Sequence, residues 1–183
     1  PYGNPNSAEV KKFVQIIKKE LIDLNEDGSV WLNQDYFDYA TGLRMVPDKK
    51  WEKLFGFPKR EAESELEQKH CNLGLAIQQV TEEAVIKMAE EAKRLTGSDY
   101  LCMAGGVALN CVANGKLLNA GIFKDVFIQP AAGDAGGALG AALAANHIYF
   151  EQDRKVSEEK DAMAGSYLGP EYSDKEIEIA ARK

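Results

Sequence analysis

Apolar residues return at helical spacing from the start of the chain, with Val10, Phe13, Ile17, Leu21 and Leu24 falling on one face. Asn6 followed by Glu9 has capping-box spacing, with Asn in place of the usual Ser or Thr. Together they predict a helix over 7–24. Asn25-Glu26-Asp27-Gly28 is a turn cluster, and the runs 30–32 and 36–39 behind it are expected as short strands of an edge or cap element. A short helix over 49–55 should end at the Gly56-Phe57-Pro58 break. From about 65 to 96, Leu66, Leu73, Ile77, Val80, Ala84, Met88, Ala92 and Leu95 step by three, four or seven along a long amphipathic helix. Gly97 supplies its stop. Glu82, Glu83, Lys87, Glu90, Glu91, Lys93 and Arg94 read as its solvated face.

Beyond Gly97 the texture changes. Tyr100-Leu101-Cys102-Met103 and Val126-Phe127-Ile128 are continuous apolar runs, the pattern of strands buried on both faces. Gly105-Gly106 and a helix over 107–120 follow the first. A Pro130-Ala131-Ala132-Gly133-Asp134 loop and a small-residue helix over 135–150 follow the second. This predicts an α/β fold with a β-α-β-α core, its strands parallel and joined by a right-handed crossover. Both loops would leave the carboxyl ends of the strands, the edge at which open α/β sheets bind ligands.

Composition narrows the function class. The 183 residues include 45% hydrophobic and 28% charged positions, the balance of a folded globular chain. A net charge of -7, without any Lys/Arg cluster interleaved with aromatics, argues against nucleic acid as a partner. The Gly/Ala-rich stretch 138–145 is too short to span a bilayer, so no membrane insertion is expected. Cys71, Cys102 and Cys111 form no C-x-x-C pair and read as reduced core thiols of a cytoplasmic protein. His70 and His147 are far apart in sequence and read as helix-face or core residues. The chain opens on Pro1 rather than Met, and 176–183 looks like a helix cut before its C-cap, which together suggest an internal piece of a longer protein.

The residues that could carry chemistry lie in the two loops. Gly105 and Gly106 leave backbone amides open to a phosphate or nucleotide, although paired glycines also serve a tight turn for geometry alone. Asn110 and Asn114 share a helical arc with Val107, Cys111, Leu117 and Leu118. Such amides either bond to nearby backbone or border a ligand, one turn from the glycines in the case of Asn110. Asp134 is either a helix N-cap or a carboxylate aimed at a metal or phosphate. The glycines at 133, 136 and 137 clear space around it, and Gly136 and Gly140 imply that backbone or a nucleotide approaches the following helix closely.

The stretches L-C-M-A-G-G-V-A-L-N-C-V-A-N-G-K-L-L (101–118) and F-I-Q-P-A-A-G-D-A-G-G-A-L-G-A-A-L-A-A (127–145) resemble the signature of the nodulation-type O-carbamoyltransferases. P-Y-G-N-P at 1–5 and R-E-A-E-S-E-L-E-Q-K-H at 60–70 carry weaker echoes of the same family. The resemblance implies a ribonuclease-H-like lobe of the actin, sugar-kinase and heat-shock ATPase superfamily. It divides the chain into cap elements (1–64), the long helix (65–97), a nucleotide- and metal-site unit (98–150) and the start of a following segment (151–183). It also implies carbamoyl transfer from carbamoyl adenylate, made from carbamoyl phosphate and ATP by a separate C-terminal synthase-like domain, to a hydroxyl of a small, sugar-containing acceptor. By the same resemblance Gly105, Gly106, Asn110 and Gly133 would hold the nucleotide, and Asp134 would bind a divalent metal, expected to be iron. The other metal ligands implied are an H-x-x-x-H pair of a preceding lobe, a pattern not found in these 183 residues. Asn72 stands where the family resemblance implies an Asp. Two alternatives remain open: a tRNA-threonylcarbamoylating relative, against which D-A-G-G in place of D-N-A-A and the acidic charge both argue, and a nucleotide-binding module without chemistry.

Overall fold

Ser7, not Asn6, opens the first helix: its side chain accepts a hydrogen bond from the Val10 amide at 3.1 Å. This helix, α1 (Ala8–Ile16), continues as a wider π turn over Ile17–Leu21. The helical path ends at Ile22, whose backbone is extended at φ -140°, three residues short of the expected boundary. Ile22–Leu24 (β1) then pairs antiparallel with Val30–Leu32 (β2), with Asp23 opposite Trp31. The computed structural model that defines these elements describes residues 2–156 and 163–182. Pro1 of the P-Y-G-N-P motif, part of the expected 151–183 segment and Lys183 therefore lie outside the described residues.

The run expected as a strand at 36–39 is instead a single 3-10 turn, Gln34–Tyr36, followed by loop. Asn33 caps that turn, and the Tyr36 carbonyl accepts from Trp51 Nε1 at 2.7 Å, which removes these residues from any ladder. Asp48–Phe55 (α2) stops at Gly56 and Gln68–Thr96 (α3) at Gly97, each glycine in the left-handed region. The expected strand pair follows as Tyr100–Met103 (β3) and Asp125–Ile128 (β4), neighbours in one sheet. Lys124 donates to the Asp99 carbonyl at 2.8 Å and Gln129 to that of Met103 at 3.1 Å. The partners advance in the same sense along both chains, so the pair is parallel. Between the strands the single helix expected over 107–120 is split into a 3-10 turn, Gly106–Leu109, and Cys111–Asn119 (α4). The break falls at Asn110, which begins a new helix as its N-cap. Ala135–Ala144 (α5) runs on into a π turn at Ala145–Tyr149, and Asp174–Ala181 (α6) carries a Ser173–Glu176 capping box. Among the described residues no helix is long and apolar enough to cross a membrane.

The chain forms two units. The first, residues 1–102 and 110–127, holds a core of Val10, Phe13, Ile17, Leu21, Phe55, Ala76 and Val80. Phe13 meets Phe55 edge to face at 5.6 Å, a geometry that adds to the roughly 1.5–3 kcal/mol gained by burying such a side chain. The α3 stripe is phased differently from the apolar pattern. Asn72, Ala76, Val80, Glu82, Val85 and Ala89 are buried, whereas Ile77, Met88 and Leu95 are exposed. Glu82 thus leaves the solvated face, and Glu83 and Lys87 on that face tie α3 to Lys18 and Glu26. Asn72, where an Asp was expected, accepts from the Asn4 amide and from Gln68, and donates to Glu9 at 2.6 Å. A carboxylate here would confront Glu9 with a second negative charge, whereas the amide satisfies both sides. Gly28 at the β1–β2 turn lies so close to α3 that a Cβ would stand 2.6 Å from the Met88 nitrogen.

The second unit comprises residues 103–109 and 128–183. Of its described residues only Ala108 and Ala132 are buried, while Leu143, Ile148, Tyr149, Phe150, Tyr167 and Leu168 are exposed. The strands are not covered on both faces as expected, since Tyr100, Cys102, Asp125 and Phe127 are exposed. Cys102 and Cys111 are likewise exposed free thiols rather than core residues, since no described residue packs over them closely enough to bury them.

Candidate functional site

Gly105, Gly106, Gly133 and Asp134 all belong to the second unit, in the two loops that follow β3 and β4. The Gly105 amide donates to the Ala132 carbonyl at 2.8 Å, stitching one loop to the other. Its φ of +97° lies where an L side chain is strained. The amide at 105 is therefore committed to the loop, and the helical segment that opens at Gly106 is one 3-10 turn rather than the start of a long helix. No heavy atom lies within 4 Å of a Cβ built on Gly105 or Gly106, so their surroundings are open. Gly133 has only an ordinary 3.7 Å approach to Leu109 Cδ1. Close approach to α5 is confined to Gly136, where a Cβ would collide with the Ala131 carbonyl oxygen; Gly137 and Gly140 face open space.

Asp134 occupies the position before α5 with helical backbone angles (φ -58°, ψ -34°), and its side chain makes no capping hydrogen bond. An N-cap needs an extended backbone to swing its oxygen over the first-turn amides. Here those amides are served by main chain instead, Gly136 donating to Gly133 and Gly137 to Asp134. The carboxylate is exposed and available to a ligand. As a lone carboxylate it has the chemistry of a single anionic oxygen donor, and among the described residues no group of three His, Cys, Asp or Glu converges on a metal position.

Asn110 belongs to the first unit. Its Oδ1 accepts from the Ala113 amide and from Gln78 Nε2, both at 3.1 Å, while its Nδ2 donates to Gln78 Oε1 at 2.9 Å. Gln78 also donates to Glu82, and the buried Glu82 carboxylate pairs with Lys116 of α4. This polar link between α3 and α4 is absent from the sequence reading. Its only signal is Gln78 and Glu82 one helical turn apart on a helix assigned by its apolar stripe. Where β3 begins, Lys124 and Lys93 hold the Asp99 carboxyl below its ordinary range by hydrogen bonding and charge.

The family described as "Carbamoyltransferase N-terminus" has a model that matches residues 1–143, a span that includes both loops. An uncharacterized protein of Synechocystis sp. is 51% identical over 178 residues, 97% of this chain and 28% of that protein. Nodulation protein NolO of Bradyrhizobium diazoefficiens is 42% identical over 116 residues, 62% of this chain and 20% of its own length. The 3'-hydroxymethylcephem-O-carbamoyltransferase of Streptomyces clavuligerus is 31% identical over 118 residues, 60% of this chain and 22% of its own. The chain thus spans less than a third of the length of these relatives.

Proposed function

Since this chain belongs to the carbamoyltransferase N-terminal family, we propose that it forms part of an O-carbamoyltransferase acting from carbamoyl adenylate on a hydroxyl of a small, sugar-containing acceptor. In this reading its α/β unit is one ribonuclease-H-like lobe of an actin-type domain. The other lobe and the synthase-like domain that makes the adenylate from carbamoyl phosphate and ATP belong to the remainder of the parent protein. The observation that carries the proposal is Asp134: a carboxylate inside the family match, at the carboxyl end of a parallel strand, with no capping bond to occupy it.

A divalent cation, iron in our reading, would supply positive charge against the oxygens that become more negative as the acceptor attacks. Asp134 would be one ligand of that cation. Gly105, Gly106 and Gly133 would let the nucleotide come up against the loop backbone, since no side chain stands in the way at the first two. Asn110, in the first unit, holds the start of α4 and bonds to Gln78.

Asp134→Asn in the full-length protein tests this. Asn replaces an anionic oxygen by a neutral one of the same size, so folding should survive while bound metal and carbamoyl transfer both fall. The fall in metal affinity should exceed the roughly 10–100-fold typical of losing an outer-sphere partner. Near-normal metal content and turnover would remove Asp134 from the site. The 183-residue chain on its own should register no transfer, because one carboxylate does not hold a catalytic metal tightly.

A further inference from the structure

An apolar cavity of about 620 Å³ opens in the first unit between α2, the start of α3 and the loop before α2. That volume is in the range of small-molecule sites. Trp51, Phe55 and Phe57 line it together with Leu73 and Ile77 of α3.

Two further features point to a ligand. The first is Gly74, which also lines the cavity. Glycine is disfavoured inside a helix, and no packing demand explains it here, since a Cβ at this position would meet nothing within 4 Å. Its effect is to leave the cavity open where any other residue would begin to fill it. The second is the charge around the cavity. Arg44 and Lys59 converge on the single carboxylate of Asp48, at 3.3 and 3.8 Å, and both cationic side chains are about 70% exposed. Arg60 is a third cation in the lining, against the two carboxylates of Asp48 and Glu52. His70 also lines the cavity, its Nδ1 accepting from the Glu67 amide at 3.1 Å.

We propose that this cavity binds an organic anion with an apolar body and one carboxylate, the body lying against the aromatic side chains and α3 and the carboxylate meeting Arg44 and Lys59. Cations sharing one counter-ion retain attraction for a second carboxylate, whereas an uncharged or cationic amphiphile gains only the apolar burial. The site uses none of the residues assigned to carbamoyl transfer, so its failure would leave that reading untouched.

Decanoate is a suitable probe, titrated calorimetrically into the full-length protein beside decanol and decyltrimethylammonium. Decanoate should bind saturably and at least tenfold more tightly than decanol, and the ammonium should bind more weakly than either. Arg44→Gln with Lys59→Gln, both exposed positions, should reduce decanoate to the level of decanol. Gly74→Leu, which fills open space from a helix, should abolish binding of both while leaving the thermal midpoint unchanged or raised. No saturable decanoate binding, equal affinity for decanoate and decanol, or decanoate binding unmoved by either variant would overturn the proposal.

Discussion

Replacing Asn110 by Ala removes three hydrogen bonds from one residue. Loss of an N-cap costs about 1 kcal/mol. The reciprocal amide pair with Gln78 is half-buried, so water partly replaces it, and its two bonds contribute about 1 kcal/mol net. The first turn of α4 should therefore open more easily by about 2 kcal/mol, which is roughly a 30-fold change in the open population. Amide exchange of Ala113, whose N–H the Asn110 side chain accepts, reads this directly in the intact protein. Asn110→Asp keeps the oxygen that accepts from Ala113 and Gln78 and loses only the donor to Gln78, so it should show about a quarter of the effect in free energy. Gln78→Ala and Asn110→Ala together should cost less than the sum of the two, since they share one pair of bonds. An Ala113 exchange rate that rises less than about 3-fold in Asn110→Ala would refute the assignment of Asn110 as the joint between α3 and α4.

Five other substitutions have defined outcomes. Gly105→Ala should cost about 1–2 kcal/mol from its positive φ alone, while Gly106→Ala, free of that constraint and of any clash, should leave the thermal midpoint nearly unchanged. Ser7→Ala should cost about 1 kcal/mol as a true N-cap and Asp134→Ala less than about 0.5 kcal/mol, since only Ser7 makes the capping bond; equal losses in urea unfolding would contradict this. Asp99 has a folded-state pKa below its ordinary 3.8, so its contribution is fully present above that value and disappears as pH falls through the lowered one. The Asp99→Asn variant should accordingly lose less stability than the parent when thermal midpoints are followed from about pH 5 to about pH 3.

The features that sequence made legible are those decided locally. Gly56 and Gly97 end their helices because a left-handed residue closes the last turn wherever the helix is packed. The β3 and β4 runs and the glycine-bearing loops behind them were equally readable. What escaped depends on partners distant in the chain. Leu24 continues the helical spacing of Leu21, yet β1 forms because Val30–Leu32 lies alongside it. The α3 stripe was misphased because buried Asn72 and Glu82 are satisfied by Glu9, Gln68 and Lys116, none of which an apolar count along one helix detects. Asp134 is the reverse case. Asp before a helix suggests a cap, and only its backbone angles reveal that it does not act as one.

The 29 residues of α3 make a rod about 43 Å long at 1.5 Å per residue. Leu73, Gly74 and Ile77 face the cavity, Gln78 and Glu82 engage α4, and the backbone at Met88 receives the hairpin turn at Gly28. Each engagement is indexed to the others by 100° per residue. Point substitutions along the rod can be absorbed one contact at a time, but a single inserted or deleted codon between Glu82 and Met88 would swing the hairpin's seat by more than a quarter turn relative to the α4 link. This gene segment should therefore vary by replacement while keeping its length, with insertions and deletions confined to the loops before Gln68 and after Gly97.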